Sequence, residues 1–478
     1  MALPLHGRAA HRRLWVVAAS ADPTMKAAVG QCVGRIRSAL AAKQLPSAGA
    51  DGVTGAPTSG GQAASCFALI SQTYSASDID QVACELKHQL SGISPGVHVS
   101  GSVVDHVVSS DGSCHTPGLS ILYHTPQGGS QLAGRPFYIG DAHGRQRLRE
   151  TAVGRWHNEI TDRHRPNDQT IHWKRGVSSA TQAESYVSLP QELTKDISNP
   201  SCVRLLLFAS DKESRQVLDA LDARFPAAVK LGIVGSQTPF LNACDFTLFC
   251  SSRMYDGGVV GFVFEEQGSE ELNPGNSIGQ PDVAHDGLEE ISGAFRIERA
   301  KGNVVLDLEN GEAARTLIAS IRKRRQQAGN AEMDGRLFAK ITGGKDADSS
   351  AKGNWPAVFQ VTGGDPAKGG LAVDTSKDIA AGQYIQFMMP RPTAARSRLA
   401  DDREQLMIRF YADDYSSPEG TRAVATAGSA VFGGVTEGGF IYSTLEQPLD
   451  PNQASSSNVL SGTTECSVPG SVASLTLH

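Results

Sequence analysis

The fold class expected of this chain of 478 residues is α/β and α+β: duplicated strand-helix-strand units with mixed sheets in a first domain, 14–268, and a β-rich second domain, 285–446. Three observations predict it. A short apolar run, a cap-rich turn and a stripe of apolar residues at helical spacing follow one another three times before residue 240. Two of these copies run on through a proline-marked turn into a second strand with small residues at its exit. From about residue 285 the pattern changes to short apolar runs joined by glycine-rich turns. The length agrees, being long for a single hydrophobic core.

Each element can be justified in order. In "LWVVAASADPTMKAAVGQCVGRIRSAL" a strand begins at Leu14. Ser20 and Asp22 stand in cap position with Pro23 behind them, and Met25, Val29, Cys32, Val33, Ile36 and Leu40 line one helix face. "CFALISQTYSASDIDQVACELKHQL" repeats the plan, with a strand over 66–71, caps at Ser75 and Ser77, and a stripe of Ile79, Val82, Ala83, Leu86 and Leu90. In "RLLLFASDKESRQVLDALDARFPAAVKLGIVGSQTPF" the strand is Leu205–Ala209, and Val217, Leu218, Leu221 and Phe225 form the stripe. The second strands are "SPGVHVSGSVVD" at 94–105 and "FPAAVKLGIVGSQTP" at 225–239. "GLSILYH" and "FTLFCSSRMYDGGVVGFVF" add strands, with Asp256-Gly257 read as a hairpin turn. In the second domain, strands turn at Lys301-Gly302-Asn303 and Gly311-Glu312 opens a helix from Ala313 to about Gln326; the remaining segments read as strands.

Four segments stand outside this plan. Residues 1–13 are a basic N-terminal segment carrying Arg8, Arg12 and Arg13. Residues 46–65 are Gly, Ala, Ser and Pro without periodicity and are expected to be a flexible loop. Residues 141–200 form a polar, basic insert, and 447–478 are expected to be a mobile tail.

Composition narrows the function classes. With 44 Lys+Arg against 50 Asp+Glu, the net charge of -6 offers no global attraction to nucleic acid or an anionic membrane. The longest apolar runs fall far short of the roughly 18 to 20 residues of a spanning helix, so a soluble protein without membrane partners is expected. The eight cysteines show no CxxC and no short pairing, and read as reduced core thiols of a cytoplasmic protein. The basic start has the charge bias of a mitochondrial presequence, which is the alternative, although Pro4 and Gly7 weaken its helix.

The order of these segments resembles the FIST family, in which an N-terminal and a C-terminal FIST domain occur in tandem. In the first domain the resemblance rests on "LLLFASDKESRQVLDALDARFPAAVKLGIVGSQTPF" leading to "FTLFCSSRMYDGGVVGFVF". In the second it rests on "VVLDLENGEAARTLI", "VTGGDPAKGGLAVDTSKDIAAGQYIQFM" and "SAVFGGVTEGGFIY". The resemblance implies a non-enzymatic sensory or scaffold protein that binds a small molecule such as an amino acid. It also implies an alternative, a protein-interaction subunit in ubiquitin-linked turnover, as in relatives that carry an F-box. Here "SLPQELTKDI" is similar to the opening of an F-box but runs almost at once into a strand, so no F-box is expected.

The candidate ligand-binding residues are the small residues at the strand exits: Ser20, Gly101, Ser102, Gly232, Gly235 and Ser236. Paired units should bring the exit Gly232–Ser236 beside Gly101 and Ser102, facing a shared crevice. Gly235→Val should then abolish ligand response at a cost of about 1 to 3 kcal/mol. The competing reading is that the glycines only allow the units to pack closely. No HExxH, phosphate loop or GxGxxG opening a helix is present, so no catalytic residue and no cofactor is expected. His157, His164 and His172, seven and eight residues apart in the insert, are too widely spaced to suggest a metal site. With Trp156 and Trp173 they make the insert a candidate protein-partner surface, and "IRKRRQQ" at 321–327 reads as cations at a helix C-terminus.

Overall fold

The computed structural model describes residues 14–44, 63–108, 114–115, 118–126, 134–140, 189–195, 197, 203–210, 215–226, 228–265, 281–285, 287–328, 336–343, 357–365, 367–375, 378–391, 406–412, 430–444 and 462–477. It is a mixed α/β protein in which strand outweighs helix, with mixed sheets and a β-barrel region. The basic segment 1–13 and His157, His164 and His172 lie outside the described residues. So do the loop expected at 46–65 as far as residue 62, and nearly all of the insert 141–200.

The chain opens with β1 (Leu14–Ser20), α1 (Met25–Gln44), β2 (Ser65–Ser71), α2 (Ala76–Ser91), β3 (His98–Val104), β4 (His106–Val108), β5 (Cys114–His115) and β6 (Leu119–Thr125). Then come β7 (Arg135–Ile139), α3 (Gln191–Thr194), β8 (Val203–Ala209), α4 (Arg215–Arg224), β9 (Val229–Val234), α5 (Pro239–Asn242), β10 (Leu248–Cys250), β11 (Arg253–Tyr255), β12 (Val259–Glu265) and β13 (Asp282–Ala284). A third stretch holds β14 (Leu288–Lys301), β15 (Val304–Leu308), β16 (Gly311–Glu312), α6 (Ala313–Ala328), β17 (Phe338–Thr342), β18 (Ala357–Gly364), β19 (Leu371–Val373) and β20 (Tyr384–Pro390). The last strands are β21 (Leu406–Ala412), β22 (Ala430–Thr436), β23 (Phe440–Thr444), β24 (Gly462–Cys466) and β25 (Ser471–Leu477).

These strands make four sheets. Three have six strands each, in the orders β1-β6-β2-β3-β10-β11, β7-β12-β8-β9-β23-β24 and β13-β25-β21-β22-β4-β5. In each the central pair is parallel, β2 with β3, β8 with β9 and β21 with β22. The neighbours on either side of that pair are antiparallel. Each of the three is completed by a hairpin arm from elsewhere in the chain: β10-β11 adds to β3, β23-β24 to β9 and β4-β5 to β22. The fourth sheet, β14-β20-β17-β18-β19-β15-β16, is wholly antiparallel in its pairings and carries α6.

The apolar pattern explains these layers. One core draws Phe67, Val104, Phe208, Ile233, Phe410 and Phe432 from all three six-stranded sheets. The opposite face of the first sheet is buried under the stripes of α1 and α2, including Val29, Cys32, Ile36, Ile79, Val82 and Leu86. Val217, Leu218, Leu221 and Phe225 cover the second sheet in the same way. The stripes read from helical periodicity are therefore the buried faces, and Ser75 caps α2 by accepting a hydrogen bond from the Asp78 backbone N–H. Lys230 is a buried cation within this apolar setting. Its Nζ donates to the Phe225 carbonyl at 2.7 Å and sits 3.1 Å from Asp222, which also accepts hydrogen bonds from the Thr463 backbone N–H and hydroxyl.

Three features differ from the sequence expectations. Residues 462–477, placed in a tail, form β24 and β25, and β25 lies between β13 and β21. A strand covered on both faces shows no alternation, and its serines are compatible with burial because Ser471 bonds His285 and Ser474 bonds the Asp282 carbonyl. Asp256-Gly257 is not a hairpin turn, since β11 and β12 belong to different sheets. The tight turn joins β10 to β11 through Ser251 and Ser252, both at positive φ, without the Asn or Gly that would mark it in sequence. The sheets also cross the boundary expected between 268 and 285, because β21, β22 and β25 share a sheet with β4 and β5.

Candidate functional site

The glycine-bearing strands β3, β9 and β22 run side by side with their parallel partners in one register. Gly101 faces Ala68, Gly232 faces Leu207 and Gly433 faces Arg409. A Cβ on Gly101 would overlap the Ala68 carbonyl and the Phe249 ring, and one on Gly232 would lie 2.7 Å from Leu207. These two positions are closed by backbone and side chain. At the exits, the Gly235 N–H donates to the Ala209 carbonyl at 2.8 Å and the Ser236 N–H to the Val103 carbonyl at 2.9 Å. Gly235 and Ser236 therefore meet Ser102 and Val103, the juxtaposition that sequence reasoning expected. The contact leaves no crevice at Gly235, where a Cβ would strike Ser102 Oγ and lie 3.2 Å from the Val103 carbonyl. Ser20 does not join this group: its hydroxyl donates to Gln31 at 2.7 Å and accepts from the Asp22 N–H, fixing the entry to α1.

Four residues beyond each register glycine, at Asp105, Ser236 and Glu437, the three chains converge on a polar cluster. Buried Asp105 accepts hydrogen bonds from Gln72 Nε2 and the Glu437 backbone N–H, each at 2.9 Å. The nearby Ser236 hydroxyl also favours the charged form of this carboxylate. That hydroxyl stands 3.5 Å from the Thr436 hydroxyl, which accepts from the Gly438 N–H. The Asp105 carbonyl takes the Ser71 hydroxyl at 3.0 Å. Thr73, Gln237 and Glu437 are exposed, so the cluster runs from a buried acid to the surface.

Burial pushes the Asp105 carboxyl above the usual carboxylate range, against the opposing pull of the Ser236 hydroxyl and the Glu437 N–H. An ionised carboxylate offers about four acceptor positions, and two donors lie within hydrogen-bond distance of this one among the described residues. The arrangement can therefore accept a further N–H or O–H, with Ser236, Thr436 and Gln72 supplying hydroxyl and amide partners around it.

Sequence reasoning placed Ser236 here and missed Asp105, Gln72 and Thr436. The available signal was "SVVDHVV", an acid set in a run of valines, where a strand interior has no use for a charge unless it is paired. Among the described residues no group of three or more His, Cys, Asp or Glu is placed to hold a metal ion, and no helix is long and apolar enough to cross a membrane. The buried cysteines offer no reactive thiolate: burial raises Cys32 to about 12 and Cys466 to about 11. No protein-family model matches the chain, and no curated protein matches it.

Proposed function

We propose that the chain is a non-enzymatic, cytoplasmic sensory or scaffold protein of the FIST kind, which binds a small, amino-acid-like molecule at the Asp105 cluster. The observation that carries this reading is the buried Asp105 carboxylate at the meeting of three strand exits, with acceptor capacity to spare and a polar path to the surface. An ammonium group suits that position, because a charge-assisted hydrogen bond to a desolvated carboxylate is among the stronger recognition contacts. The Ser236 and Thr436 hydroxyls and the Gln72 amide are suited to the ligand's other polar atoms.

The same proposal includes the repeat inferred from the sequence. The shared strand order of the three six-stranded sheets supports a common parallel-pair arrangement used more than twice, with its arms exchanged between copies. In that reading the FIST-like C-terminal segment "SAVFGGVTEGGFIY" supplies the third glycine strand and the Thr436–Glu437 side of the site. A thermal-shift screen of the purified chain against the amino acids tests the function. Stabilisation by at least one of them, reduced in Ser236→Ala, supports it, and no shift by any of them removes it.

A further inference from the structure

The segment joining β9 to β10 has no counterpart in the other two six-stranded sheets. Asp105 alone separates β3 from β4, and residues 437–439 separate β22 from β23, whereas residues 235–247 lie between β9 and β10. The extra length builds a rigid turn around α5. Thr238 Oγ1 lies 2.7 Å from Thr247 Oγ1 and donates to the Cys244 carbonyl, and Asn242 Nδ2 donates to Thr247 Oγ1 at 3.0 Å. Ala243 takes a left-handed conformation, and a bridge between Gln237 and Phe246 closes the base. This turn holds Phe240 fully in solvent, the one large apolar side chain so exposed among the described residues. Exposed carboxylates stand beside this turn: Asn242 reaches Asp80 on α2, and Asp256, Asp80 and Asp245 all act on the Cys244 thiol, which burial and these charges push up.

An ordered turn pays its conformational cost before binding, and aromatic side chains, phenylalanine among them, are enriched at interface cores. Among the described residues Phe240 has nothing to pack against. We propose that the Phe240 turn is a docking knob for a protein partner that presents lysine or arginine residues around an apolar pocket. The carboxylates of Asp80, Asp245 and Asp256 choose the basic rim, and the phenyl ring fills the pocket.

Two labelled peptides of equal length, one alternating leucine with lysine and the other leucine with glutamate, probe this in fluorescence anisotropy with the full chain. The lysine peptide is expected to bind saturably and more weakly as salt rises. Phe240→Ser should weaken it at least about tenfold, the scale of an aromatic hot spot, and Asp80→Asn with Asp245→Asn should lower its salt dependence. Equal binding of both peptides, no binding of the lysine peptide, or indifference to Phe240→Ser overturns the proposal. Sedimentation showing a Phe240-dependent dimer in place of peptide binding also overturns it, by assigning the knob to a second copy of the chain.

Discussion

Two places on the same three strands, only four residues apart, have opposite chemistry. At Gly101 and Gly232 backbone and side chain fill all the space, whereas at Asp105, Ser236 and Glu437 the chains end in hydrogen-bonding groups with an outlet to solvent. A glycine in a strand can serve close packing or ligand approach, and the difference lies in what its missing side chain would have met. Here it would have met the protein itself. The chemistry able to hold a ligand lies downstream, where strand pairing stops and backbone groups need polar partners.

The largest expected effect comes from forcing a side chain into the packed positions. Gly101→Val should abolish the cooperative thermal transition seen by circular dichroism, because a β-branched group cannot coexist with the Ala68 carbonyl and the Phe249 ring. Gly235→Val should behave alike, replacing the mild cost expected from sequence. A folded Gly235→Val protein would break the comparison.

Asp105→Ala comes next. It leaves the Gln72 amide and the Glu437 N–H without their acceptor, and should cost about 2 to 4 kcal/mol in urea unfolding. A loss below about 0.5 kcal/mol would mean the cluster is well solvated. Lys230→Met keeps most of the volume but gives up the bonds to Phe225 and Asp222, and should cost about 1 to 3 kcal/mol because the partly buried Asp222 keeps Thr463.

His285 sharpens the comparison through pH. Its Nδ1 lies 2.7 Å from Ser471 Oγ, and burial, with Lys340 nearby, lowers its pKa to about 4. The folded protein therefore holds the neutral ring while the unfolded chain takes up a proton near pH 6.5. Stability contributed by His285 is complete above that value and is lost as pH falls from about 6.5 toward 4. In His285→Gln, the slope of melting temperature against pH across this window should flatten. The smallest effect belongs to Phe240→Ser, whose ring is fully exposed and whose stability should stay within about 0.5 kcal/mol of the parent.

Much of this architecture was legible in the residues. Helical spacing located the buried stripes of α1, α2 and α4, and apolar runs located β2, β3, β8 and β9, because each is an amphipathic or fully apolar element with a clear boundary. The Gly302-Asn303 turn joins β14 to β15 as expected, with Gly302 at positive φ. What escaped was non-local. Pairing of β25 with β13 and β21 across the length of the chain leaves no pattern in "SVASLTL", and the exchange of arms among sheets is a property of topology. Asp105 escaped because its partners Gln72, Ser236 and Glu437 come from three separate stretches, so no spacing could announce them.

The central claim, that the acid beyond the glycines and not the glycines themselves holds a ligand, is tested most directly by calorimetric titration of an amino acid that stabilises the chain. Wild type and Asp105→Asn would be compared at a temperature where both are folded. The account predicts saturable binding to the wild type and at least about a tenfold loss in Asp105→Asn, the cost of one charge-assisted hydrogen bond. Equal affinity for the two proteins would contradict it.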